Sequence, residues 1–306
     1  MKTTVLIPSY KRGPALLDSL EGVINAELLP DQVVVVLRES DEESQRLVQD
    51  WLDDCDCPEL FDIPQVSEPG QIAALNRGLQ VATGDIVAFT DDDAIPRKEW
   101  LKRLVSHYED PQVGGVGGRD VVHHGDRVTD GETTVVGRIT ACGRIIGNHH
   151  LKLQGPPAEV EHLKGVNMSF RRKLIQPFDP AIQGPHFNDT DQSLSVRKQG
   201  WKLIYDPDAV VDHYPAARPA SVAGRDLTNP RQVYLDSHDH AYLLLKHLPR
   251  WQAALWVPYL TLVGSRQVPG LLMLLYHAFA RNPSAYRQFG ANLRGVWRAL
   301  LGGERG

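Results

Sequence analysis

The sequence predicts an α/β protein in which a mainly parallel sheet is flanked by helices. Strand and helix signals alternate through the first 120 residues, and the strand signals are short apolar runs rich in Val, Ile and Leu. Such runs are typical of parallel strands buried on both faces. With 306 residues, 42% of them hydrophobic, the chain is long enough for one large domain or for one domain with an appendage.

Local signals bound the successive elements. The first strand ends at Pro8, and Pro14 marks the start of the first helix. Ser40 and Glu43 are spaced as a capping box for the second helix, and Gly84 separates the third helix from the next buried strand. The predicted strands cover residues 3–8, 33–37, 86–89 and 113–116, and the predicted helices cover residues 14–24, 41–52, 71–81 and 100–108.

Three adjacent acids, Asp91, Asp92 and Asp93, directly follow the strand at residues 86–89. Their mutual repulsion is costly unless a cation shares the charge, and carboxylate oxygens suit Mg²⁺ or Mn²⁺. Because ligands bind beyond the carboxyl ends of the strands in such sheets, we expect this cluster to share an edge with residues 8–10 and 38–40. The alternative interpretation is a polar turn that caps a helix beginning near Lys98.

Charge is distributed unevenly along the chain. The formal net charge is −5, but residues 246–306 contain eight Lys or Arg and one acid, which leaves −12 for residues 1–245. We therefore expect a main α/β domain at residues 1–220 and a basic, apolar helical extension at residues 221–306. The acidic main domain argues against nucleic acid as a partner.

The extension mixes aromatic, aliphatic and cationic residues, a composition that suits helices lying on an anionic membrane surface. Its uncharged runs, residues 251–265 and 267–280, are each shorter than the roughly 20 residues of a transmembrane helix. Packing of these helices onto the main domain is the alternative.

Three cysteines and an apolar N-terminal run too short for a signal peptide favour a reducing compartment. We expect a cytoplasmic protein, peripheral at the inner face of the plasma membrane.

Several short motifs occur in a defined order. Residues 5–12 read VLIPSYKR, residues 74–79 read ALNRGL and residues 89–93 read FTDDD. Farther along the chain are GVNMSFRR at 165–172, NDTD at 188–191, RKQGW at 197–201, and YDP at 205–207 leading to His213. On these motifs the chain resembles the family 2 glycosyltransferases of the GT-A fold, a Rossmann-like architecture, over about residues 3–215.

This resemblance implies an inverting, metal-dependent transfer of a sugar from a nucleotide-diphosphate sugar to a hydroxyl acceptor. It implies that Asp93 and Asp91 bind Mn²⁺ or Mg²⁺ together with His213, and that Asp189 deprotonates the acceptor hydroxyl. Asp191 is an alternative base, and a purely structural His213 is the alternative to a ligand. The family usually has Glu-Asp where this chain has Asn before Asp189.

The resemblance and the position of residues at the carboxyl edge also predict a donor site. Glu39 or Asp41 would accept a hydrogen bond from a uracil or thymine N–H, so the donor would be a UDP- or dTDP-sugar. Of the three acids, Asp92 should tolerate substitution best, because neighbouring side chains of an extended segment face opposite ways. The predicted donor-binding residues are Pro8, Tyr10, Glu39, Asp41, Asn76, Arg77, Asp91 and Asp92.

These expectations describe a glycosyltransferase that acts on a glycan or lipid-linked acceptor in the assembly of cell-surface polysaccharide. The basic, apolar extension suggests the lipid acceptor and the membrane partner. A sugar-phosphate nucleotidyltransferase is an alternative, but it needs a Gly-rich, basic loop after the first strand, which residues 9–13 resemble poorly. A catalytically inactive sugar-nucleotide-binding or scaffold protein is the other alternative, and the presence of Asp93 and Asp189 argues against it.

Overall fold

The computed structural model describes residues 1–215, 229–264, 268–279 and 285–302. The chain divides into two compact units. The first unit contains residues 1–138 and 146–178 and the described residues from 192 to 215. The second contains residues 139–145 and 179–191 and the described residues from 229 onward. The predicted domain boundary between residues 220 and 221 lies outside the described residues.

The main sheet belongs to the first unit and contains eleven of the described strands. The strands of the chain are β1 (Thr3–Pro8), β2 (Gln32–Arg38), β3 (Phe61–Asp62), β4 (Gln65–Val66), β5 (Ile86–Thr90), β6 (Ala94–Pro96), β7 (Val113–His124), β8 (Arg127–Thr129), β9 (Glu132–Thr133), β10 (Arg138–Ile139), β11 (Ile145–Ile146), β12 (Lys152–Leu153), β13 (Ala158–Val160), β14 (Asn167–Arg171) and β15 (Lys202–His213).

The main sheet is mixed, which corrects the prediction of a mainly parallel one. Its order is β13-β15-β7-β14-β5-β1-β2-β3. β1 pairs in parallel with β2 and β5, and β7 with β15, but β14 lies antiparallel between β5 and β7. The sequence hides β14 because its polar residues Asn167 and Ser169 are buried, where they donate to carbonyl oxygens of β7 and β15.

The helices are α1 (Pro14–Ile24), α2 (Glu42–Asp53), α3 (Gln71–Val81), α4 (Trp100–Ser106), α5 (Asn188–Lys198), α6 (Pro230–His247), α7 (Ala253–Pro258), α8 (Leu271–Phe279) and α9 (Ala285–Gly302). β1, α1 and α3 have the predicted bounds. The predicted capping box of α2 is wrong, because Asp41 is the N-cap and its carboxylate accepts a hydrogen bond from the Ser44 N–H. Among the described residues, no helix combines the length and apolarity needed to cross a membrane.

Apolar side chains cover both faces of the main sheet. Val5 and Ile7 belong to one core and Leu6 to the other, as alternation along a strand buried on both faces requires. Gly78 lets α3 approach β1 closely, since a Cβ there would lie 2.6 Å from Leu6 Cδ1. The second unit has its own core, formed mainly by residues of α6, α7 and α9: Ala241, Leu244, Trp256, Leu260, Val296 and Ala299.

Candidate active site

The acidic triplet lies between two strands that pair with different parts of the sheet. β5 leads into Asp91, and β6 follows Asp93 at once. β6 pairs antiparallel with the end of β15, which sets Ala94 opposite His213. The Tyr214 N–H donates to the Asp93 carbonyl oxygen at 2.8 Å. This short strand therefore brings His213 to the triplet, although 120 residues of sequence separate His213 from Asp93.

Asp91, Asp93 and His213 form the candidate metal centre. One ligand atom from each residue lies within 4.8 Å of the other two. His213 Nε2 is 3.3 Å from Asp93 Oδ1, and both side chains are buried. Two carboxylates and one imidazole suit a divalent cation, and ligand bonds of about 2 Å need only a small approach of the three groups. These residues fit the predicted metal and would hold it.

Arg12 supplies a cation to the triplet. This residue is not among the predicted site residues. Its Nε is 3.0 Å from Asp92 Oδ1, and its guanidinium NH2 nitrogen is 3.1 Å from Asp93 Oδ2. The Tyr10 N–H donates to Asp92 Oδ2 at 3.3 Å. Burial raises the pKa of Asp92 to about 7, although Arg12 opposes the rise. The signal that could have identified Arg12 is its place just beyond the end of β1, at the same sheet edge.

The structure corrects the prediction that Asp92 faces away and tolerates change best. Its side chain is 8% exposed and is held between Arg12 and the backbone of Tyr10. Asp92 thus ties the triplet to the loop after β1. Its role in donor binding stays a prediction.

A second carboxylate, Asp120 of β7, lies behind His213. Its side chain is fully buried, forms an ion pair with Lys164, and has Oδ2 at 3.7 Å from His213 Nδ1. Burial alone would lower the pKa of His213, but Asp120 and Asp93 raise it to about 9. Burial opposes ionisation of Asp120 too, yet His213 and Lys164 lower its pKa to about 2. An acid within an otherwise apolar, Gly-rich strand was the available sequence signal.

The loop after β1 brings part of the predicted donor site to the same edge. Pro8 ends β1, and the Tyr10 ring is 40% exposed. The Lys11 ammonium and the Arg38 guanidinium each lie 5.4 Å from the centroid of that ring. Glu39 follows β2 and is exposed. An aromatic face and nearby cations at the edge of the metal centre are suitable for a nucleotide.

Asp41 has a structural role, which corrects its predicted contact with the base. It is buried, and Oδ2 accepts the Lys11 N–H at 2.6 Å while Oδ1 accepts the Ser44 N–H at 3.4 Å. Lys11 has a φ of 55°, a left-handed conformation that a non-glycine residue adopts only with support. Asp41 therefore stabilises the strained turn that carries Tyr10 and connects it to the start of α2.

The Asn76 side chain is committed to a backbone contact away from the metal centre, contrary to prediction. The Asn76 amide exchanges hydrogen bonds of 2.9 and 2.7 Å with the backbone of Phe178. Asn76 also lines a cavity of about 750 Å³ together with Met1 and Asp85, which precede β1 and β5 at the opposite edge of the sheet. Arg77 is exposed and donates to the Gln65 carbonyl oxygen. Gln65 pairs with Leu37 near the carboxyl end of β2, so the role of Arg77 in donor binding stays a prediction.

The four glycines of β7 also have a packing explanation. A Cβ on Gly118 would lie 1.8 Å from the Ala209 carbonyl oxygen, and one on Gly115 would lie 2.6 Å from the Phe170 ring. These glycines allow β7 to fit closely between β14 and β15. The close backbone approach that these glycines permit is to neighbouring strands.

Asp189 lies in the second unit, in the first turn of α5. It is partly buried, and its Oδ1 accepts the Thr190 N–H at 2.6 Å. The preceding Asn188 accepts the Asp189 N–H on its side-chain oxygen, also at 2.6 Å. Asn188 thus occupies the start of α5 with a neutral side chain.

The buried Asp191 is engaged in an ion-pair network, which corrects its prediction as an alternative base. It accepts from Lys246 Nζ at 2.9 Å and from His247 Nε2 at 2.6 Å. Lys246 also donates to Asp179 at 2.7 Å. Because both of its carboxylate oxygens are engaged by donors on α6, Asp191 is poorly placed to contact an acceptor hydroxyl.

The segment before α5 is attached to α6 along its length. Phe187 has a φ of 74° and stacks on His240 with ring centroids 5.3 Å apart. His186 contacts Asp236 at 2.9 Å, and Asp239 accepts the Gly184 N–H at 2.6 Å. Helix α6 therefore holds the backbone that leads into Asp189, including a residue in a strained conformation.

Comparison with known proteins gives the family. The sequence profile of glycosyl transferase family 2 matches residues 4–177. The glucosyl-dolichyl phosphate glucuronosyltransferase of Haloferax volcanii is 29% identical over 225 residues, which are 70% of this chain and 69% of that protein.

Two solved structures share the GT-A fold. The mannosyltransferase PcManGT from Pyrobaculum calidifontis, in complex with GDP-Man and Mn²⁺, aligns with a TM-score of 0.57 and 20% identity over 99% of this chain and 88% of its own. GalNAc-T7, with UDP, GalNAc and Mn²⁺, aligns with a TM-score of 0.66 and 14% identity over 98% of this chain and 56% of its own. With the family profile matched over more than half of its length, this chain belongs to glycosyl transferase family 2.

Proposed function

We propose that this protein is an inverting, metal-dependent glycosyltransferase that moves a sugar from a nucleotide-diphosphate donor to a hydroxyl acceptor. The observation that carries the proposal is the convergence of Asp91, Asp93 and His213 at the carboxyl edge of the sheet. The exposed Tyr10 ring and the cations Lys11 and Arg38 lie on the loops of the same edge. Family membership favours glycosyl transfer over the nucleotidyltransferase alternative.

The residues divide into two roles. Asp91, Asp93 and His213 would hold the cation, which when bound would offset the negative charge of the departing diphosphate. Arg12 holds the carboxylates of Asp92 and Asp93 in place. In the second unit, Asp189 would accept the proton of the acceptor hydroxyl as that oxygen attacks the anomeric carbon from the side opposite the diphosphate.

For the donor we propose a UDP- or dTDP-sugar. The Glu39 carboxylate is exposed and would accept the N3–H of uracil or thymine, and Tyr10 offers an aromatic face to the base. The two solved structures support nucleotide donors with Mn²⁺, since one contains GDP-Man and the other contains UDP. For the acceptor we propose a lipid-linked glycan, which the name of the haloarchaeal relative supports.

We place the enzyme at the cytoplasmic face of a membrane, where cell-surface polysaccharide is assembled, and α9 supports this location. Its inner face packs on α6, where a Cβ on Gly295 would lie 2.5 Å from the Tyr234 carbonyl oxygen. Its outward face exposes Tyr286, Trp297 and Leu301. Arg287, Arg294 and Arg298 are exposed on the same helix. An apolar stripe beside a row of arginines suits an anionic lipid surface.

A vesicle experiment tests the location. The pair of substitutions Trp297→Ala and Leu301→Ser should reduce sedimentation of the full chain with phosphatidylglycerol-containing vesicles. Leu29→Ser, at an exposed apolar residue of the first unit, should not change it. Equal sedimentation of the wild type, the double variant and Leu29→Ser would contradict the proposed membrane location.

A panel of nucleotide sugars tests the enzymatic proposal. Each donor is titrated into the protein with Mn²⁺, with Mg²⁺ and with a chelator, and release of the nucleoside diphosphate is followed separately. We expect one uracil- or thymine-containing donor to bind only with metal. Absence of metal-dependent binding to every donor would refute the proposed activity.

A further inference from the structure

We propose that Asp120 is a positioning residue that orients His213 toward the bound cation, with Lys164 holding Asp120 in place. The inference rests on the proposed metal centre and extends it to two residues that do not themselves bind the ion. It concerns how the imidazole is aimed, because a histidine ligand is effective only when its ring is fixed with the correct nitrogen toward the metal.

The strand register explains why these two side chains meet. β7 and β15 pair in parallel, with Asp120 opposite Val211 and Val122 opposite His213. Residues two apart on a strand point to the same face, so Asp120 and His213 share one face on adjacent strands. They are diagonal neighbours, and the Asp120 Oδ2 to His213 Nδ1 distance is 3.7 Å.

Two polar atoms at this contact lack hydrogen-bond partners within the described part of the chain. Asp120 Oδ1 and His213 Nδ1 are both buried and unpaired. Buried polar atoms are almost always paired, so an unpaired donor nitrogen 3.7 Å from one oxygen of a carboxylate whose other oxygen has no partner indicates that the two groups become hydrogen-bond partners in another state. Binding of the cation by Nε2 leaves the proton of His213 on Nδ1, and Asp120 is the acceptor at hand.

Lys164 restricts how Asp120 can respond. Its ammonium forms an ion pair with Asp120 Oδ2, whereas Oδ1 has no partner within the described residues. A small rotation of the imidazole or the carboxylate would close the gap to His213. The result is a chain of three groups, from Lys164 through Asp120 to His213, that ends at the metal centre.

The test measures Mn²⁺ binding to the full chain without donor, from the loss of the free-ion electron paramagnetic resonance signal. Asp120→Asn keeps the size of the side chain and should weaken binding by about 10–100-fold, the usual effect of losing such a partner. His213→Ala should also weaken it. If Asp120 acts through His213, Asp120→Asn should have no further effect in the His213→Ala background.

Asp206→Asn is the matched control. Asp206 lies on β15 and is buried. Its Oδ2 is 2.9 Å from Nε2 of His107, a residue outside the candidate metal centre. This variant should lower the melting temperature while leaving Mn²⁺ affinity unchanged. The inference would be overturned if Asp120→Asn bound Mn²⁺ with wild-type affinity, or if it weakened Mn²⁺ binding equally in the wild-type and His213→Ala backgrounds. Either result would leave the proposed enzymatic function intact. Failure of the wild-type protein to bind Mn²⁺ would overturn both.

A measurement on the wild-type protein covers the case in which Asp120→Asn does not fold. Histidine-labelled protein with Mg²⁺ is examined by ¹⁵N magnetic resonance, and His213 is assigned by its absence in His213→Ala. We expect a proton on Nδ1 and none on Nε2 in the metal-bound state. A proton on Nε2 would refute the proposed orientation.

Discussion

The guanidinium of Arg12 lies 3.0 Å from the carboxylate of Asp92, and the two side chains are 12% and 8% exposed. The same guanidinium reaches Asp93 at 3.1 Å. Removing one partner from such a pair leaves an uncompensated buried charge, which is more harmful than the pair is beneficial. Arg12 therefore allows three consecutive acids to sit at a strand end in the metal-free protein.

We predict that Arg12→Met destabilises the metal-free protein by about 3 kcal/mol, because it removes the cation that the buried carboxylates of Asp92 and Asp93 share. Denaturant unfolding measures the change. Mn²⁺ should raise the melting temperature of Arg12→Met more than that of the wild type, since the ion replaces the lost positive charge. Arg103→Met, at an exposed pair with Glu99, should cost less than about 1 kcal/mol. Equal costs for the two variants would contradict the role of Arg12.

Asp93 and Asp189 should separate donor binding from transfer. Asp93→Ala removes a candidate ligand and should abolish metal-dependent donor binding, measured by calorimetry. Asp189→Asn keeps the size of the side chain but cannot take a proton, so donor binding should persist while kcat falls by about 10²–10⁴-fold. A normal transfer rate in Asp189→Asn would show that another group is the base.

Lys246 should affect catalysis through the segment that carries Asp189. Its ammonium joins Asp179 and Asp191 at 2.7 and 2.9 Å, so Lys246→Met leaves two carboxylates without their shared cation. We expect faster hydrogen exchange in residues 179–191 and a kcat reduced by about 10-fold, equivalent to about 1.4 kcal/mol, with donor affinity unchanged. Lys102→Met, at an exposed pair with Glu27, is the control and should change neither. Unchanged exchange in Lys246→Met would argue against this positioning.

His149 should make the stability of the protein depend on pH. It is buried, and its Nε2 lies 3.2 Å from the His162 carbonyl oxygen, an arrangement in which neutral His149 donates. Burial lowers the pKa of His149 to about 3, below the value of about 6.5 expected in the unfolded chain. As the pH falls, His149 therefore binds a proton in the unfolded chain before it does so in the folded protein. The stabilisation that neutral His149 gives the folded protein is complete above a pH of about 6.5 and is lost as the pH falls toward 3.

The comparison with His149→Gln isolates this effect. Gln can still donate to the His162 carbonyl oxygen but does not titrate. The difference in unfolding free energy between the wild type and the variant should narrow by roughly 2 kcal/mol between pH 7 and pH 5. A constant difference across that range would show that His149 titrates alike in both states.

Local patterns were sufficient for much of the first unit. The bounds of β1, α1 and α3 match the prediction because apolar periodicity, Pro14 and Gly84 act over a few residues. The placement of Asp91 and Asp93 at a strand end followed from the same reasoning. The predictions for Asp41, Asn76 and Asp191 are wrong. Short polar side chains can cap a helix, bind the backbone or form an ion pair, and the local sequence does not distinguish these roles from ligand binding.

The sequence by itself determined the alternating order of the early elements, the position of the acidic triplet and the family resemblance. The tertiary structure decided the mixed direction of the sheet and the surroundings of the triplet. Arg12 reaches Asp92 across 80 residues, and Lys164 reaches Asp120 across 44. Such pairs leave no periodic trace in the sequence, because each depends on which strands become neighbours and in which register. The metal centre is thus a product of the β6 and β7 pairings with β15.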